Sequence, residues 1–431
     1  MSEHQIVIVG GGAGGLELAS KLGRKFKSDP HTKITLVDRN LTHIWKPLLH
    51  EVAAGALDAD MDGVDYRVQA AASGFRFQPG ELTGLDRDKQ IITLAPIYDN
   101  QGNEVVASRN IYYDQLVIAI GSVTNDFGTE GAAEHCYFLD SVKQAKRFHH
   151  TLMNTFLASQ AQRYPKPLRV GIVGAGATGV ELSAELHKSA ELIRGYGFDD
   201  FDPAQLEIVL IEAGPRILPA LKDRIAAAAA QELTRLGVEI RTETAVKSVT
   251  ADGFVTQSGE FIEAAIKVWA AGVRAPDFLA NFAGLETNRG NQLVVTDTLQ
   301  TTRDPKVFAL GDCAALTLPD GRRVPPRAQA AHQMADCLYG NLLRALNGKP
   351  MKPFVYKDHG SLVSLSNYNA VGTLMGNLAR GSMMIEGTLA RIMYKALYRM
   401  HQVAIHGYFK TFLYMLAQVI NRRLRPRLKL H

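Results

Sequence analysis

Two stretches of this chain set three spaced glycines between an apolar run and a helix-forming run, and each is followed by a strand that ends in an acid. The first is Ile6-Val-Ile-Val-Gly10-Gly-Gly12-Ala13-Gly14-Gly15-Leu-Glu-Leu-Ala19, with Asp38 closing Ile34-Thr-Leu-Val-Asp38. The second is Val170-Gly-Ile-Val-Gly174-Ala-Gly176-Ala-Thr-Gly179-Val-Glu-Leu-Ser-Ala184, with Glu212 closing Ile208-Val-Leu-Ile-Glu212. At this spacing the first glycine permits a tight turn, the second lets backbone approach a pyrophosphate, and the third lets the helix lie close to the strand. The free N–H groups of the helix N-terminus then face phosphate charge, and the strand-end acid accepts from ribose hydroxyls. Two dinucleotide-binding loops are therefore expected. Gly10, Gly12, Ala13, Gly14, Gly15 and Asp38 form one; Gly174, Gly176, Gly179 and Glu212 form the other. A carboxylate at 212 repels a 2′-phosphate, so the second loop should prefer NADH to NADPH. Arg216, four residues on and past the strand, weighs less.

These loops need parallel strands to carry them. The run 113–121 reads as a buried strand ending in a turn at Gly121, and 266–272 as another ending at Gly272. Val307-Phe-Ala-Leu-Gly311-Asp312 is a third, whose carboxyl end presents Gly311 and Asp312 where ligands of open α/β sheets sit. An α/β fold follows, with one nucleotide domain at 1–150 resuming at 285–345 and a second inserted at 165–275. A C-terminal interface and anchoring region fills 346–431. Apolar residues make up 46% and charged residues 21% of the 431, which excludes a disordered chain. The three cysteines, Cys136, Cys313 and Cys337, form no CxxC or CxxxxC pair. That removes a disulfide scaffold, a four-thiolate cluster and a local dithiol. We read no metal-ligand box, and none is expected. No secretion signal is read at the N-terminus either.

The formal charge of +5 is unevenly spread. From 387 to 431 there are nine Lys/Arg and no Asp or Glu, against 39 basic and 43 acidic residues elsewhere. Within this tail Leu389, Ile392, Met393, Ala396, Leu397 and Met400 recur at helical steps beside Arg391, Lys395 and Arg399. After Gly407 a second stripe holds Phe409, Phe412, Leu413, Leu416, Val419 and Ile420. The charge-free run 411–421 is far shorter than the ~20 residues a spanning helix needs. Basic residues beside an aromatic apolar face predict helices lying on an anionic membrane surface over 388–431, with the cluster 422–429 adding attraction. No groove-reading motif accompanies them, so nucleic acid is not an expected partner.

Together these residues resemble the two-dinucleotide flavoproteins and, within them, the type II NADH:quinone oxidoreductases. The narrowing motifs are Asp38-Arg-Asn-Leu-Thr-His-Ile-Trp-Lys-Pro47-Leu-Leu-His-Glu-Val-Ala53, the Ala328-Gln329-Ala-Ala-His-Gln333 run, and 354–365 with Lys357. The usual ATG triplet reads Ala119-Ile120-Gly121, a departure that touches backbone packing more than chemistry. The resemblance implies two Rossmann-like domains, noncovalent FAD on the first, NADH on the second, and a membrane quinone as acceptor. It also implies a peripheral enzyme on the cytoplasmic face of the inner (plasma) membrane; a homodimer is a further expectation. Asp38 and Asp312 would then serve the FAD ribose and ribityl hydroxyls. Gln329 and Gln333, four apart on one helix face, would donate to quinone oxygens. Glu181, two residues past Gly179, either aligns NADH, relays a proton or steadies its helix's first turn. Lys357 would offset charge on reduced flavin or quinol; His332 is a proton source or a packed helix residue. Two alternatives stay open: a sulfide:quinone oxidoreductase, which needs cooperating cysteines, and a membrane-held NADH-sensing flavoprotein without turnover.

Overall fold

The computed structural model describes residues 3–160, 167–193, 196, 203–365, 369–376, 379–424 and 428–429. All but the last residue of the turn-rich entry at 164–167 and most of the 195–205 loop lie outside that set. Near-continuous apolar runs build two parallel sheets, as expected of strands covered on both faces. In the first sheet His4–Val9 is central, flanked in parallel by Thr32–Asp38 and Gln115–Ile118. Arg76–Pro79 extends one side and Asp304–Ala309 the other, with Gln300–Thr301 antiparallel at the edge. In the second, Leu168–Val173 lies between Leu206–Ile211 and Ile266–Trp269, and Glu239–Arg241 closes the edge. Ile6, Ile8, Leu36, Val117 and Phe308 are wholly buried in the first core, as are Val170, Ile172 and Leu210 in the second. The α/β expectation holds.

Each sheet carries an antiparallel three-stranded flap: Leu82–Asp86, Ile91–Leu94 and Arg109–Tyr112 on the first, Val246–Val249, Gly253–Thr256 and Phe261–Glu263 on the second. Val123–Thr124 and Val273–Arg274, which leave the two sheets, pair with each other and join them. Beyond helix Ala328–Leu346 comes a meander that the sequence reading did not foresee: Gly360–Leu365, Asn369–Gly376 and Ala379–Glu386. Helices Gly387–His406 and Tyr408–Leu424 follow, broken at Gly407, whose φ of +79° lies in the left-handed region that favours glycine.

Candidate functional site

The first loop leaves its strand at Gly10 and enters helix Ala13–Phe26 with Gly12 as N-cap. Asp38 accepts the Gly11 N–H at 2.7 Å on one oxygen and the Asn40 N–H at 2.7 Å on the other. The second loop repeats the arrangement: Glu212 accepts from Ala175 N–H at 2.8 Å and from Gly214 N–H at 2.9 Å. Each acid fastens its own loop and keeps lone pairs for a ribose. A Cβ on Gly15 would fall 1.9 Å from the Gly10 carbonyl oxygen, and one on Gly179 2.1 Å from that of Gly174. The backbones of Ala119 and Ala271, just before Gly121 and Gly272, press as closely on Gly10 and Gly174, at 2.4 and 2.6 Å. Gly14 likewise lies under Leu310 and the Ala331 carbonyl. The protein itself demands these glycines. Gly12 and Gly176 differ, because a Cβ on either meets no atom of the described chain within 4 Å. The room they keep faces a helix N-terminus from outside, which fits a pyrophosphate.

At the seam between the sheets Gly311 and Asp312 form one helical turn, Gly311–Cys313. The Ser122 hydroxyl donates to Asp312 Oδ2 at 2.8 Å, and Gln292 Nε2 donates to the Asp312 carbonyl at 2.8 Å. A cavity of about 240 Å³ lies here, lined by Ser122, Arg274, Gln292, Asp312 and Pro325 among others. Lys46 stands beside it, donating to the Ser122 carbonyl at 2.7 Å and to Asp140 at 3.3 Å.

Gln329 and Gln333 share one face of helix Ala328–Leu346, but both amides are engaged with main chain. Gln333 accepts the Lys357 N–H and donates to the Lys357 carbonyl, each at 2.8 Å. Gln329 accepts the His359 N–H at 3.1 Å and donates to the Gly360 carbonyl at 3.0 Å. Together they clamp the strap 357–360 as a neighbouring strand would. The Lys357 residue is exposed. The strap runs into strand Gly360–Leu365, and there the Ser364 N–H donates to Glu181 Oε1 at 3.0 Å.

Glu181 is buried on helix Ala177–Ile193, with His50 Nδ1 3.5 Å from its Oε2. Burial, with the Glu51 and Glu185 carboxylates nearby, outweighs the Ser364 bond and raises its carboxyl to about 8. Burial lowers His50 to about 4, so both partners are neutral at pH 7. Tyr394 of the first tail helix is pushed well above the usual phenol range by burial and by the charge of Glu181. Glu181 therefore sits where the second sheet, the meander and the tail meet.

A second functional carboxylate, without a signal of its own in the sequence, stands at the same place in the first loop. Glu17, two residues past Gly15, is also buried; Lys21 donates to its Oε1 at 2.7 Å and the His332 ring touches its Oε2. Burial alone would raise Glu17, but His332 and Lys21 outweigh it and hold the carboxyl below its usual range. His332 lies edge-on to His401 of the tail, whose Nε2 stands 2.8 Å from His43 Nε2. The tail and the Gln329/Gln333 helix are thus neighbours.

Helix Gly387–His406 docks through Tyr398 and His401, which stack on buried Trp45, and through Ile405. Arg24 caps its end, donating to the carbonyls of Ala404 at 2.9 Å and Ile405 at 2.8 Å. Leu397 and Met400 face outward; the side chains of Leu389, Arg391, Ile392, Met393 and Lys395 lie outside the described set. Helix Tyr408–Leu424 exposes an apolar surface, with Phe409 at 74% and Phe412 at 62% exposure and Leu416, Val419 and Ile420 beside them. Among the described residues no helix is long and apolar enough to cross a membrane. One basic residue departs from the expected surface role. Lys429 turns inward onto Asp58 at 2.9 Å and Asp60 at 3.3 Å, because its own N–H is tied to the Gly55 carbonyl. Arg425 and Arg427, and the side chains of Arg422 and Arg423, lie outside the described residues.

The profile of the family described as pyridine nucleotide-disulphide oxidoreductase matches residues 4–335. A type II NADH:quinone oxidoreductase of Haemophilus influenzae is 46% identical over 441 residues, spanning 99% of each chain. Its counterpart in Staphylococcus aureus is 31% identical over 389 residues, 88% of this chain and 91% of that one. Among solved structures, NDH2 from Plasmodium falciparum in complex with NADH aligns with a TM-score of 0.79 at 19% identity, over 95% of this chain and 98% of that one. The sulfide:quinone oxidoreductase of Aquifex aeolicus aligns at 0.72 and 18% identity, over 94% and 92%. At such identities the two structures speak to fold alone.

Proposed function

The chain belongs to the type II NADH:quinone oxidoreductases within the pyridine nucleotide-disulphide oxidoreductase family, and from that premise we propose that it oxidises NADH and reduces a membrane quinone through noncovalent FAD. What carries the proposal is the doubled loop with open room at both Gly12 and Gly176: one chain, two dinucleotides. FAD belongs on the first loop, with Asp38 at its ribose and Ser122 and Asp312 at its ribityl chain. NADH belongs on the second, with Glu212 at its ribose. Arg216 is held away, donating to the carbonyls of Leu221 at 2.9 Å and Pro219 at 3.1 Å and pairing with Asp223, which leaves Glu212 to disfavour a 2′-phosphate. The chemistry a bound flavin supplies is acceptance of a hydride and its return as two electrons.

The residues around it do the rest. Quinol formation consumes protons, and Glu181 holds one at neutral pH in a buried position beside His50 and Tyr394. Gln329 and Gln333 act through the strap: they fix 357–360 and so the strand whose Ser364 meets Glu181. Lys357 contributes a cation at the rim of the same strap.

The outward apolar face of Tyr408–Leu424, with Leu397 and Met400 of the preceding helix, forms a foot on the anionic leaflet, on the cytoplasmic side where NADH is available. A quinone dissolved in the bilayer then reaches the enzyme without crossing water. Sulfide chemistry is disfavoured, because the three thiols are free and burial pushes Cys136 and Cys313 up to about 12 and Cys337 upward too. A thiolate nucleophile is not available at such values. Sequential anaerobic stopped-flow tests the proposal. NADH should bleach the flavin, and a short-chain quinone should restore its colour over repeated turnovers. Bleaching without reoxidation leaves an NADH-sensing flavoprotein instead.

A further inference from the structure

Three helices far apart in the chain, Ala13–Phe26, Ala328–Leu346 and Gly387–His406, bring Glu17, His332 and His401 to one buried point. One carboxylate oxygen and one ring nitrogen of each histidine lie within 4.8 Å of one another. We propose that these three side chains bind a divalent first-row transition ion of the zinc class, with His43 as the supporting partner of His401.

The donor set selects the ion. Imidazole with carboxylate suits zinc and its neighbours and does not suit calcium or magnesium, which take oxygen alone. Donors at about 2.0–2.2 Å from a tetrahedral ion stand about 3.3 Å apart; the three donor atoms lie within 4.8 Å of one another, and Glu17 and His332, in direct contact without an ion, part to admit one. One buried ring atom of the cluster is unused. His401 is 1% exposed, and its Nδ1 has no hydrogen-bond partner among the described residues, although its Nε2 faces His43 at 2.8 Å. Buried polar atoms are rarely left so. A ring with one nitrogen supported by a neighbour and the other free to ligate is the arrangement bound histidines show. Glu17 is supported in the same way, because Lys21 donates to its other oxygen at 2.7 Å. The ion's charge meets Glu17, while the Lys21 cation beside it is offset by Asp336.

Such an ion would tie the tail to the helix of the first nucleotide loop and to the Gln329/Gln333 helix at once. The same contacts without an ion would be a hydrogen-bonded Glu17–His332 pair, and experiment separates the two. Untagged full-length protein in detergent is stripped with chelator, reloaded with ZnCl2, desalted and assayed for metal per chain by mass spectrometry. Zinc affinity is measured by competition with a chromophoric indicator, and melting temperature by calorimetry. One zinc per chain and a zinc-dependent rise in melting temperature are expected. His401→Gln and Glu17→Gln should each weaken zinc at least about 100-fold, the upper end of what loss of a supporting contact alone costs, and abolish the rise. Glu17→Gln keeps an acceptor for Lys21, so its fold is the safer of the two. Wild-type protein that retains no zinc, or variants that bind it as tightly as wild type, overturns the proposal.

Discussion

Replacing Glu181 by Gln tests whether this chain stores a proton inside its core. The folded carboxyl titrates near 8, against 4.5 when exposed, because burial and the Glu51 and Glu185 charges penalise its anion. Between those values the folded protein holds a proton that the unfolded chain releases. Stability contributed by this group is therefore complete below pH 4.5 and drains away as pH rises, levelling above 8. At about 1.36 kcal/mol per pH unit across about 3.5 units, the loss is on the order of 5 kcal/mol. The amide introduced by Glu181→Gln has no proton to lose, so its fixed cost of polar burial does not vary with pH. Unfolding entropy of about 2.1 cal/mol/K per residue gives roughly 0.9 kcal/mol per degree for a chain of this length. Differential calorimetry of flavin-loaded protein should then show the variant's melting temperature, relative to wild type, climbing by about 5 °C between pH 5 and pH 8.5. Wild-type quinone half-reaction rates should fall through a midpoint near pH 8, a step that Glu181→Gln lacks. A melting-temperature difference that is flat with pH would refute the reasoning, because an exposed or already ionised carboxyl gives that result.

Gly12→Ala and Gly176→Ala add a methyl group that meets only the bound nucleotide. Both should fold, the first losing flavin absorbance at 450 nm and the second raising the KM for NADH at least tenfold with flavin retained. Glu212→Gln should lower the ratio of NADH to NADPH kcat/KM by about tenfold, from loss of charge-assisted ribose contacts and of repulsion; an unchanged ratio rejects its ribose role. The paired change Gln329→Leu with Gln333→Leu removes four main-chain hydrogen bonds, on the order of 2–6 kcal/mol of strap fixation. It should slow flavin reoxidation by quinone while sparing reduction by NADH, and stopped-flow that finds both steps equally damaged contradicts the clamp. Phe409→Ser with Phe412→Ser and Leu416→Ser should move the protein from vesicle-bound to free in flotation assays with anionic lipid, with NADH bleaching intact.

The nucleotide loops were legible because their chemistry is local: a turn, an open glycine and a strand-end acid all fall within one strand–helix–strand stretch. The α/β architecture followed from the same apolar runs. What the sequence hid depends on partners from elsewhere in the chain. Glu17 stands at the same offset from Gly15 as Glu181 from Gly179, so superposing the two motifs would have found it. His401 and His43 gave no such signal, being single histidines 358 positions apart that meet only when the tail docks. The glutamine pair was visible, but its commitment to the 357–360 backbone was not, because main-chain partners leave no mark in residue type. Lys429 counted as one more surface cation until Asp58 and Asp60 were seen beneath it. The meander of 360–365, 369–376 and 379–386 went unread because serines, asparagines and glycines interrupt its apolar alternation.

The two glutamates show how one motif is given two chemistries. Glu17 and Glu181 occupy the same turn of the same helix in the two halves, and both are buried. Around Glu17 the chain supplies a Lys one turn along and a histidine, so the carboxyl is held as an anion. Around Glu181 the same helix places a second carboxylate, Glu185, one turn along, where the first half has Lys21. Burial raises Glu181 and His332 holds Glu17 down; the residue one turn along, an anion in the second half and a cation in the first, pushes each carboxyl the same way. Lys188 sits at 2.7 Å from Glu185 and offsets part of its charge, so burial is what chiefly leaves Glu181 its proton. In an enzyme whose acceptor needs protons as well as electrons, the half that bears the protonated acid is also the half whose helix meets the tail through Tyr394. The first half's anion instead gathers the histidines that hold the tail in place.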